Sequence, residues 1–182
     1  MAEETTGILL AGFGGQGVVM AGLLLGDAAV RQGLYAAGSN SYGAQSRGSV
    51  CKAEIVIGRE PIDYPHVELA SIFVAMSQEG HDAYADQITE GTDVFYDAGL
   101  VTRMCGSPGE RGFDVTAASL KELGDKQAAN VIWIGILAGA TGLFSRLSLE
   151  RAIQAHIPER FWDLNLRALG LGFLLGGERK ER

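Results

Sequence analysis

Short, uninterrupted apolar runs alternate with segments of helical periodicity over the first two thirds of the chain. The run ILLA follows Gly7, and a second run, ASIFVAM, occupies residues 70–76. Both have the length of buried parallel strands. Residues 14–32 instead carry apolar side chains at helical spacing and end at Gly33, a common helix stop. Strands that alternate with helices predict an α/β fold, a doubly wound Rossmann-like sheet with helices on both faces.

Weaker patterns complete the predicted order of elements. The other predicted strands are residues 34–37, 50–57 and 93–96, and the next predicted helices are residues 77–89 and 115–123. Two glycine- and serine-rich segments, residues 38–48 and 98–113, are predicted to be loops, the second with a hairpin as the alternative. Ser77 and Ser148 are the predicted N-caps of the helices that follow them. Because no repeat or linker divides the chain, residues 1–182 are predicted to form a single domain with a helical C-terminal third.

One helix in that third is almost entirely apolar. Residues 127–145 carry no charge, and a stretch of this length could nearly cross a bilayer. Polar side chains and glycines interrupt it and the flanking charges give no orientation signal, so we expect a buried helix and no membrane contact. Gly135 and Gly139 have a spacing that permits close backbone approach. The sequence leaves open whether they face the sheet or a subunit interface.

Charge and cysteine usage exclude several classes of function. The chain has 22 acidic and 15 basic residues, a formal charge of −7, and no basic cluster that would neutralise phosphates, so nucleic-acid binding is not expected. Cys51 and Cys105 are the only cysteines, and the absence of a signal peptide indicates free thiols in a reducing, cytoplasmic compartment. Two cysteines cannot ligate a four-cysteine iron–sulfur cluster, and the three histidines lack metal-ligand spacing. We expect no metal on this chain.

A glycine motif follows the first predicted strand and opens the first predicted helix. It consists of Gly12, Phe13, Gly14, Gly15, Gln16 and Gly17 and matches GxGxxG. Backbone N–H groups at such a helix start favour an anion. The acidic residue that binds ribose in a dinucleotide site should follow about 20 residues later, yet no Asp or Glu occurs between Asp27 and Glu54. A tight packing turn and an anion site both remain open, and an NAD-dependent dehydrogenase is the first alternative function.

The polar segment after the second predicted strand carries a second group of candidate residues. They are Ser41, Tyr42, Gly43 and Arg47. Loops at strand ends of α/β sheets often carry function. The guanidinium of Arg47 suits a carboxylate or phosphate, and Tyr42 adds apolar area and one hydrogen bond. A solvated connection is the alternative interpretation.

Together the two motifs resemble the gamma subunit of 2-oxoacid:ferredoxin oxidoreductases. The first, GFGGQGV at 12–18, matches the GxGGQGV of that family, and SYG at 41–43 with RG at 47–48 resembles its SYGPExRGG. Ala44, Gln45 and Ser49 replace the family's Pro, Glu and second Gly, so no role of that Glu carries over. IDYP at 62–65 and VAMSQE at 74–79 extend the resemblance to nearly the whole chain. The chain's size and the IDYP turn favour the 2-oxoglutarate type over the pyruvate type.

The resemblance implies a division of labour between subunits. Such enzymes convert a 2-oxoacid and coenzyme A to an acyl-CoA and CO2, using thiamine diphosphate, Mg2+ and iron–sulfur clusters, and reduce ferredoxin. The alpha and beta subunits, with a ferredoxin-like delta subunit in some enzymes, are expected to hold these cofactors. This chain has no GDG…N segment and no Ser/His/Asp set, so it is expected to be non-catalytic. The glycine turn or the segment 41–47 would then contact coenzyme A or a partner subunit; an assembly module without a role in turnover is the second alternative.

Overall fold

A computed structural model of the protein describes residues 5–42, 49–102 and 109–177, and a mixed sheet forms its centre. The strands are β1 (Thr6–Phe13), β2 (Tyr35–Tyr42), β3 (Val50–Gly58), β4 (Ile72–Ala75), β5 (Asp93–Asp97) and β6 (Glu110–Phe113). Their spatial order is β2-β3-β1-β4-β5-β6. Strand β3 runs antiparallel to both of its neighbours, whereas β1, β4, β5 and β6 run parallel. The predicted α/β fold is confirmed, with one antiparallel strand inserted between β1 and β2.

Helices cover both faces of this sheet, as predicted. They are α1 (Val18–Arg31), α2 (Gln78–Tyr84), α3 (Val115–Leu123), α4 (Ala129–Thr141), α5 (Arg146–His156) and α6 (Trp162–Gly176). On the α1 face, Ile8 and Leu10 of β1 enter the larger apolar core. On the α2 face, Leu9 and Ala11 enter a smaller one. Burial on both faces explains why β1 is a continuous apolar run instead of an alternating one.

Two predictions for the segments between strands are wrong in part. Residues 38–42 are not loop but the second half of β2, where Gly38–Tyr42 pair with Ile55–Cys51 of β3. Small polar residues are compatible with a strand there because β2 lies at the edge of the sheet. In the second segment, the described residues Glu110–Phe113 form the strand β6, which pairs in parallel with β5 and not as the arm of a hairpin.

The helix caps agree with the sequence in one case and correct it in another. The side chain of Ser77 accepts a hydrogen bond from the N–H of Gly80 at 3.0 Å and caps α2, as predicted. Helix α5 starts earlier than predicted: Ser145 is its N-cap and accepts from the N–H of Ser148 at 3.2 Å. Ser148 is therefore the third residue of the helix and not its cap.

The glycine pair in α4 faces another helix of the same chain. A Cβ placed at Gly135 would lie 2.5 Å from the carbonyl oxygen of Leu169, and one at Gly176 would lie 2.5 Å from that of Ile136. Helices α4 and α6 therefore cross with their backbones in contact. The glycines of α4 face α6, and not the sheet or a subunit interface, the two alternatives that the sequence left open. Within the described ranges, no helix combines the length and apolar character needed to cross a membrane.

Candidate functional site

The ends of parallel strands bring the candidate residues to one edge of the sheet. The glycine turn follows β1, Met76 follows β4, and Gly99 lies just beyond β5. Strands β1, β4 and β5 run parallel, so these segments lie side by side. In open α/β sheets, ligands bind at this carboxyl edge.

The middle of the glycine turn is open to solvent. Gly14 and Gly15 are both exposed, and a Cβ placed at Gly15 would meet no atom within 4 Å. Gly15 has φ +104°, a conformation that disfavours other residues. Gly17, the N-cap of α1, offers no side chain to the helix N–H groups. The turn therefore leaves backbone donors accessible at a helix N-terminus, as an anion would require.

The outer glycines of the same turn have a different role, which is close packing. A Cβ at Gly12 would lie 2.5 Å from Oε1 of Gln16, and one at Gly17 would lie 2.7 Å from Cγ of Asn130. Asn130 of α4 also donates a hydrogen bond to the carbonyl of Gly17 at 3.3 Å. From the other face, Gly80 of α2 approaches Gly12 so closely that a Cβ would lie 2.7 Å from its nitrogen. The two interpretations of the motif, a packing turn and an anion site, thus apply to different parts of it. The outer glycines pack against neighbouring elements, and the middle glycines are open to solvent.

Gln16 ties this turn to the neighbouring strand. Its Oε1 accepts the N–H of Phe13 at 2.7 Å, and its Nε2 donates to the carbonyl of Met76 at 2.9 Å. Both polar atoms are therefore occupied within the protein. Among the candidate residues, Gln16 shapes the turn instead of offering a free group to a ligand.

A cavity of about 370 Å3 opens beside the turn. Its apolar floor includes the buried side chains of Met76 and Trp133, exposed Leu100 also lines it, and Gly14 and Gly15 form one wall. Lys126 and Gln127, at the start of the C-terminal helices, lie at its exposed rim. An apolar floor with backbone donors and a cation at the rim suits a ligand that is both partly apolar and anionic.

Asp97 also lines this cavity, but its oxygens are already paired. The carboxylate is 1% exposed. Oδ1 accepts the N–H of Gly99 at 3.0 Å, and Oδ2 accepts the N–H and hydroxyl of Thr116 at 3.0 and 2.7 Å. Asp97 thereby joins the end of β5 to the start of α3. This role was not predicted from the sequence, although an Asp at the last position of a buried strand was a usable signal.

The strand register brings the second motif close to the first. Cys51 of β3 pairs with Gly12 on one side and with Tyr42 on the other. Because neighbouring strands lie about 4.8 Å apart, the two backbones are separated by roughly 10 Å. Ser41 is exposed on β2. Gly43 and Arg47 lie outside the described residues, and their predicted contacts stay predictions.

A buried carboxylate on the α2 face was also missed by sequence reasoning. Glu54 is 3% exposed and accepts hydrogen bonds from Lys52 at 2.9 Å and from the N–H of Val67 at 3.3 Å, and His66 lies 3.2 Å from it. Burial raises the pKa of Glu54, but the contacts with Lys52 and His66 outweigh it and hold the pKa below its ordinary value. This cluster attaches the segment that precedes β4 to β3. Two charges at alternate positions of an apolar strand were its only sequence signal.

The described residues include no cluster of His, Cys, Asp and Glu that could hold a metal. Cys51 is buried as a free thiol, and burial raises its pKa, which disfavours the reactive thiolate. Cys105 lies outside the described residues.

Comparisons with known proteins agree on one family. Residues 7–175 match the pyruvate ferredoxin/flavodoxin oxidoreductase family. The chain is 37% identical, over 94% of its length and 95% of the relative's, to the 2-oxoglutarate synthase subunit KorC of Methanothermobacter thermautotrophicus. The gamma subunit of the keto/oxoacid ferredoxin oxidoreductase from Geobacter sulfurreducens superposes with a TM-score of 0.86 and 30% identity, over 95% of this chain and 97% of that one.

A third protein shares the fold within a longer chain. The 2-oxoglutarate:ferredoxin oxidoreductase from Magnetococcus marinus, solved with 2-oxoglutarate, coenzyme A and succinyl-CoA bound, gives a TM-score of 0.85 at 22% identity. The match covers 96% of this chain but 31% of that one. In that enzyme, the same fold is therefore one part of a larger polypeptide.

Proposed function

Because this chain belongs to the pyruvate ferredoxin/flavodoxin oxidoreductase family, we propose that it works as the gamma subunit of a 2-oxoglutarate:ferredoxin oxidoreductase. The resemblance predicted from GFGGQGV and SYG is confirmed by the family match and by the gamma-subunit relatives. In the reaction, 2-oxoglutarate and coenzyme A give succinyl-CoA and CO2, and two electrons pass to ferredoxin. The chain acts as one subunit of that enzyme.

We further propose that this subunit contributes a wall of the coenzyme A site. The observation that carries the proposal is the open middle of the glycine turn, where Gly14 and Gly15 are exposed and the N–H of Gly15 faces no acceptor among the described residues, beside the cavity that Lys126 lines. Coenzyme A combines phosphates with apolar and aromatic parts, which fits donors and a cation above an apolar floor. The cavity of about 370 Å3 would take a portion of the coenzyme, with the remainder on partner chains.

The remaining cofactors are proposed to lie on partner subunits. Thiamine diphosphate with Mg2+ would supply the chemistry that cleaves the oxoacid, and iron–sulfur clusters would carry the electrons. The described residues offer no cluster of His, Cys, Asp and Glu that could hold a metal for those steps. We propose alpha and beta subunits as the partners, a ferredoxin-like delta subunit as a further one, and the cytoplasm as the compartment.

The NAD-dependent dehydrogenase alternative has less support from the sheet. In a dinucleotide-binding fold, the second strand pairs directly with the first, and its end carries the acid for the ribose. Here β3 separates β1 from β2. Glu54, the acid on the strand next to β1, is buried and already paired with Lys52. Titration of the chain with NADH tests this alternative, and micromolar binding would favour it.

A matched pair of lysine variants tests the coenzyme contact. In the reconstituted complex, Lys126→Ala should raise the KM for coenzyme A roughly tenfold, the effect of losing a charged hydrogen bond of about 1.5 kcal/mol. Lys121→Ala is the control, because this lysine is exposed on α3 and does not line the cavity. An equal KM in both variants contradicts the proposed contact.

The assembly-module alternative is tested by omission. The other subunits are assayed for 2-oxoglutarate turnover with and without this chain, at saturating coenzyme A. Full turnover in its absence would mean that the chain serves assembly alone, whereas loss of turnover supports a wall of the active site.

A further inference from the structure

The side-chain amide of Gln16 joins the ends of two strands. Its Oε1 accepts the N–H of Phe13 at the end of β1, and its Nε2 donates to the carbonyl of Met76 beyond β4. The residue is partly buried, and a Cβ at Gly12 would press against its Oε1 at 2.5 Å. The amide is thus held between two backbones, with its oxygen and nitrogen each assigned a partner.

The open part of the turn is fixed by a few hydrogen bonds: the N–H of Gln16 donates to the carbonyl of Phe13 at 3.1 Å across it, and the side chain of Gln16 adds two further bonds. Gly14 and Gly15 have no side chains, and glycine has more backbone freedom to lose than any other residue. Gly14 is held by one hydrogen bond, from its N–H to the carbonyl of Ser49 at 3.0 Å. A Cβ at Gly15 would touch nothing within 4 Å. The orientation of the exposed amide of Gly15 therefore depends on how the turn is held on either side of it.

We infer that Gln16 is a positioning residue: it holds the backbone amide of Gly15 in the orientation that coenzyme A binding requires, without touching the coenzyme. The inference rests on the proposed function, which supplies the ligand. It differs from that proposal in assigning the affinity partly to a hydrogen-bonded bridge between β1 and β4. Such pre-organisation lowers the cost of ordering on binding.

Two substitutions separate the hydrogen bonds from the volume of the side chain. Gln16→Met keeps the length of the side chain and removes both hydrogen bonds. Gln16→Glu keeps the acceptor for Phe13, but its carboxylate has no proton to donate to the carbonyl of Met76. When protonated, the same carboxyl has one acceptor and one donor, as the amide does. An acid facing a carbonyl oxygen in a partly buried site should titrate above its ordinary pKa of about 4.3.

Other titratable groups lie near the turn, and the design corrects for them. Asp97 and Lys126 line the same cavity. Helix α2, which packs on the turn through Gly80, carries Glu79, His81 and Asp82. The wild-type complex contains all of these groups. Each variant is therefore expressed as a ratio to wild type at the same pH.

The measurement is the KM for coenzyme A and the kcat of the reconstituted complex across a pH series, for wild type, Gln16→Met and Gln16→Glu. Gln16→Met should raise the KM roughly tenfold at every pH, with kcat at saturating coenzyme and the KM for the oxoacid unchanged. Gln16→Glu should match wild type at the acid end and reach the Met variant as its carboxyl ionises. Hydrogen exchange of the peptide containing the turn, measured without coenzyme, reports its opening independently.

The possible outcomes distinguish the positioning role of Gln16 from the proposed wall of the coenzyme A site. A KM equal to wild type in both variants, with unchanged exchange, overturns the positioning role. A KM raised equally in both variants at all pH values overturns the hydrogen-bond explanation. If exchange in Gln16→Glu follows pH and the KM does not, Gln16 holds the turn but the turn does not contact the coenzyme, and the proposed wall of the coenzyme A site is overturned. A pH-dependent KM that parallels the exchange supports both.

Discussion

Glycines allow close backbone packing in one region of this molecule, the crossing of α4 and α6, and leave another region, the turn after β1, open to solvent. Where α4 crosses α6, the missing side chain of Gly135 is replaced by the backbone of Leu169, whose oxygen would lie 2.5 Å from an added Cβ. In the turn after β1, a Cβ added at Gly15 would have no atom within 4 Å. The first region is a dry contact between two helices, and the second is a surface that a ligand can reach.

The difference shows that a glycine pattern has no single meaning. Both regions contain glycines at short, regular spacing, and both need a residue without a Cβ. In the helix crossing the need comes from a neighbouring backbone, whereas at Gly15 it comes from the backbone conformation, φ +104°. Substitutions should therefore affect stability in the first region and binding in the second.

The largest effect is expected at the helix crossing. In Gly172→Ala, the new methyl group would overlap the carbonyl of Ile132 in α4. We expect a loss of about 3 kcal/mol or more in the free energy of unfolding, since two backbones cannot repack around a methyl group. Gly170→Ala, in the same helix, is the control: its Cβ would meet only the flexible end of Arg146 at 3.3 Å. It should stabilise by about 0.5–1 kcal/mol. If urea unfolding gave the two variants equal free energies of unfolding, close backbone packing at Gly172 would not be the reason for its glycine.

An intermediate effect is expected at Glu54, where charge and not glycine holds the packing. Because the folded-state pKa lies below the ordinary value, the stabilisation is present above the unfolded pKa and is lost as pH falls through the folded pKa. Glu54→Gln should cost about 2 kcal/mol at neutral pH, since Lys52 loses its partner, and less in acid. Glu60→Gln, at an exposed position, should stay within about 0.5 kcal/mol. A pH-independent loss would show that the charge is not the cause.

The smallest stability effect is expected at Gly15. Gly15→Ala should cost about 1 kcal/mol because of its positive φ, without a steric clash. Gly33→Ala has the same character, with φ +82° and no atom within 4 Å, but follows α1 far from the cavity. The two variants should lose similar stability in unfolding experiments, while only Gly15→Ala raises the KM for coenzyme A in the complex. Equal coenzyme KM values would remove the distinction between the two regions.

The sequence predicted the elements whose signal is local. The ILLA run predicted β1, the periodicity of residues 14–32 predicted α1, and Ser77 was correctly predicted as the N-cap of α2. It failed for Gly38–Tyr42 because the order there comes from pairing with β3 and not from the residues themselves. An edge strand that is exposed to solvent needs no apolar alternation, so small polar residues conceal it.

The candidate site was predicted only in part, because several of its contacts join residues that are far apart in the sequence. The motif located the turn, but which glycines pack depends on Asn130, 113 residues later in the chain. Likewise, the partners of Gly135 and Gly139 lie in α6, and no local pattern shows that the two helices meet. The role of Gln16 depends on the carbonyl of Met76, which only the parallel pairing of β1 with β4 brings near.

The distance between Gly17 and Asn130 along the chain has a consequence for biosynthesis. When the turn leaves the ribosome, the residue that clamps it is still 113 codons away. At about 5–20 residues per second, the nascent chain waits on the order of ten seconds before that clamp can form. The glycine turn can therefore reach its final packing only after α4 has been synthesised. The turn is complete only after this helix has also packed against it.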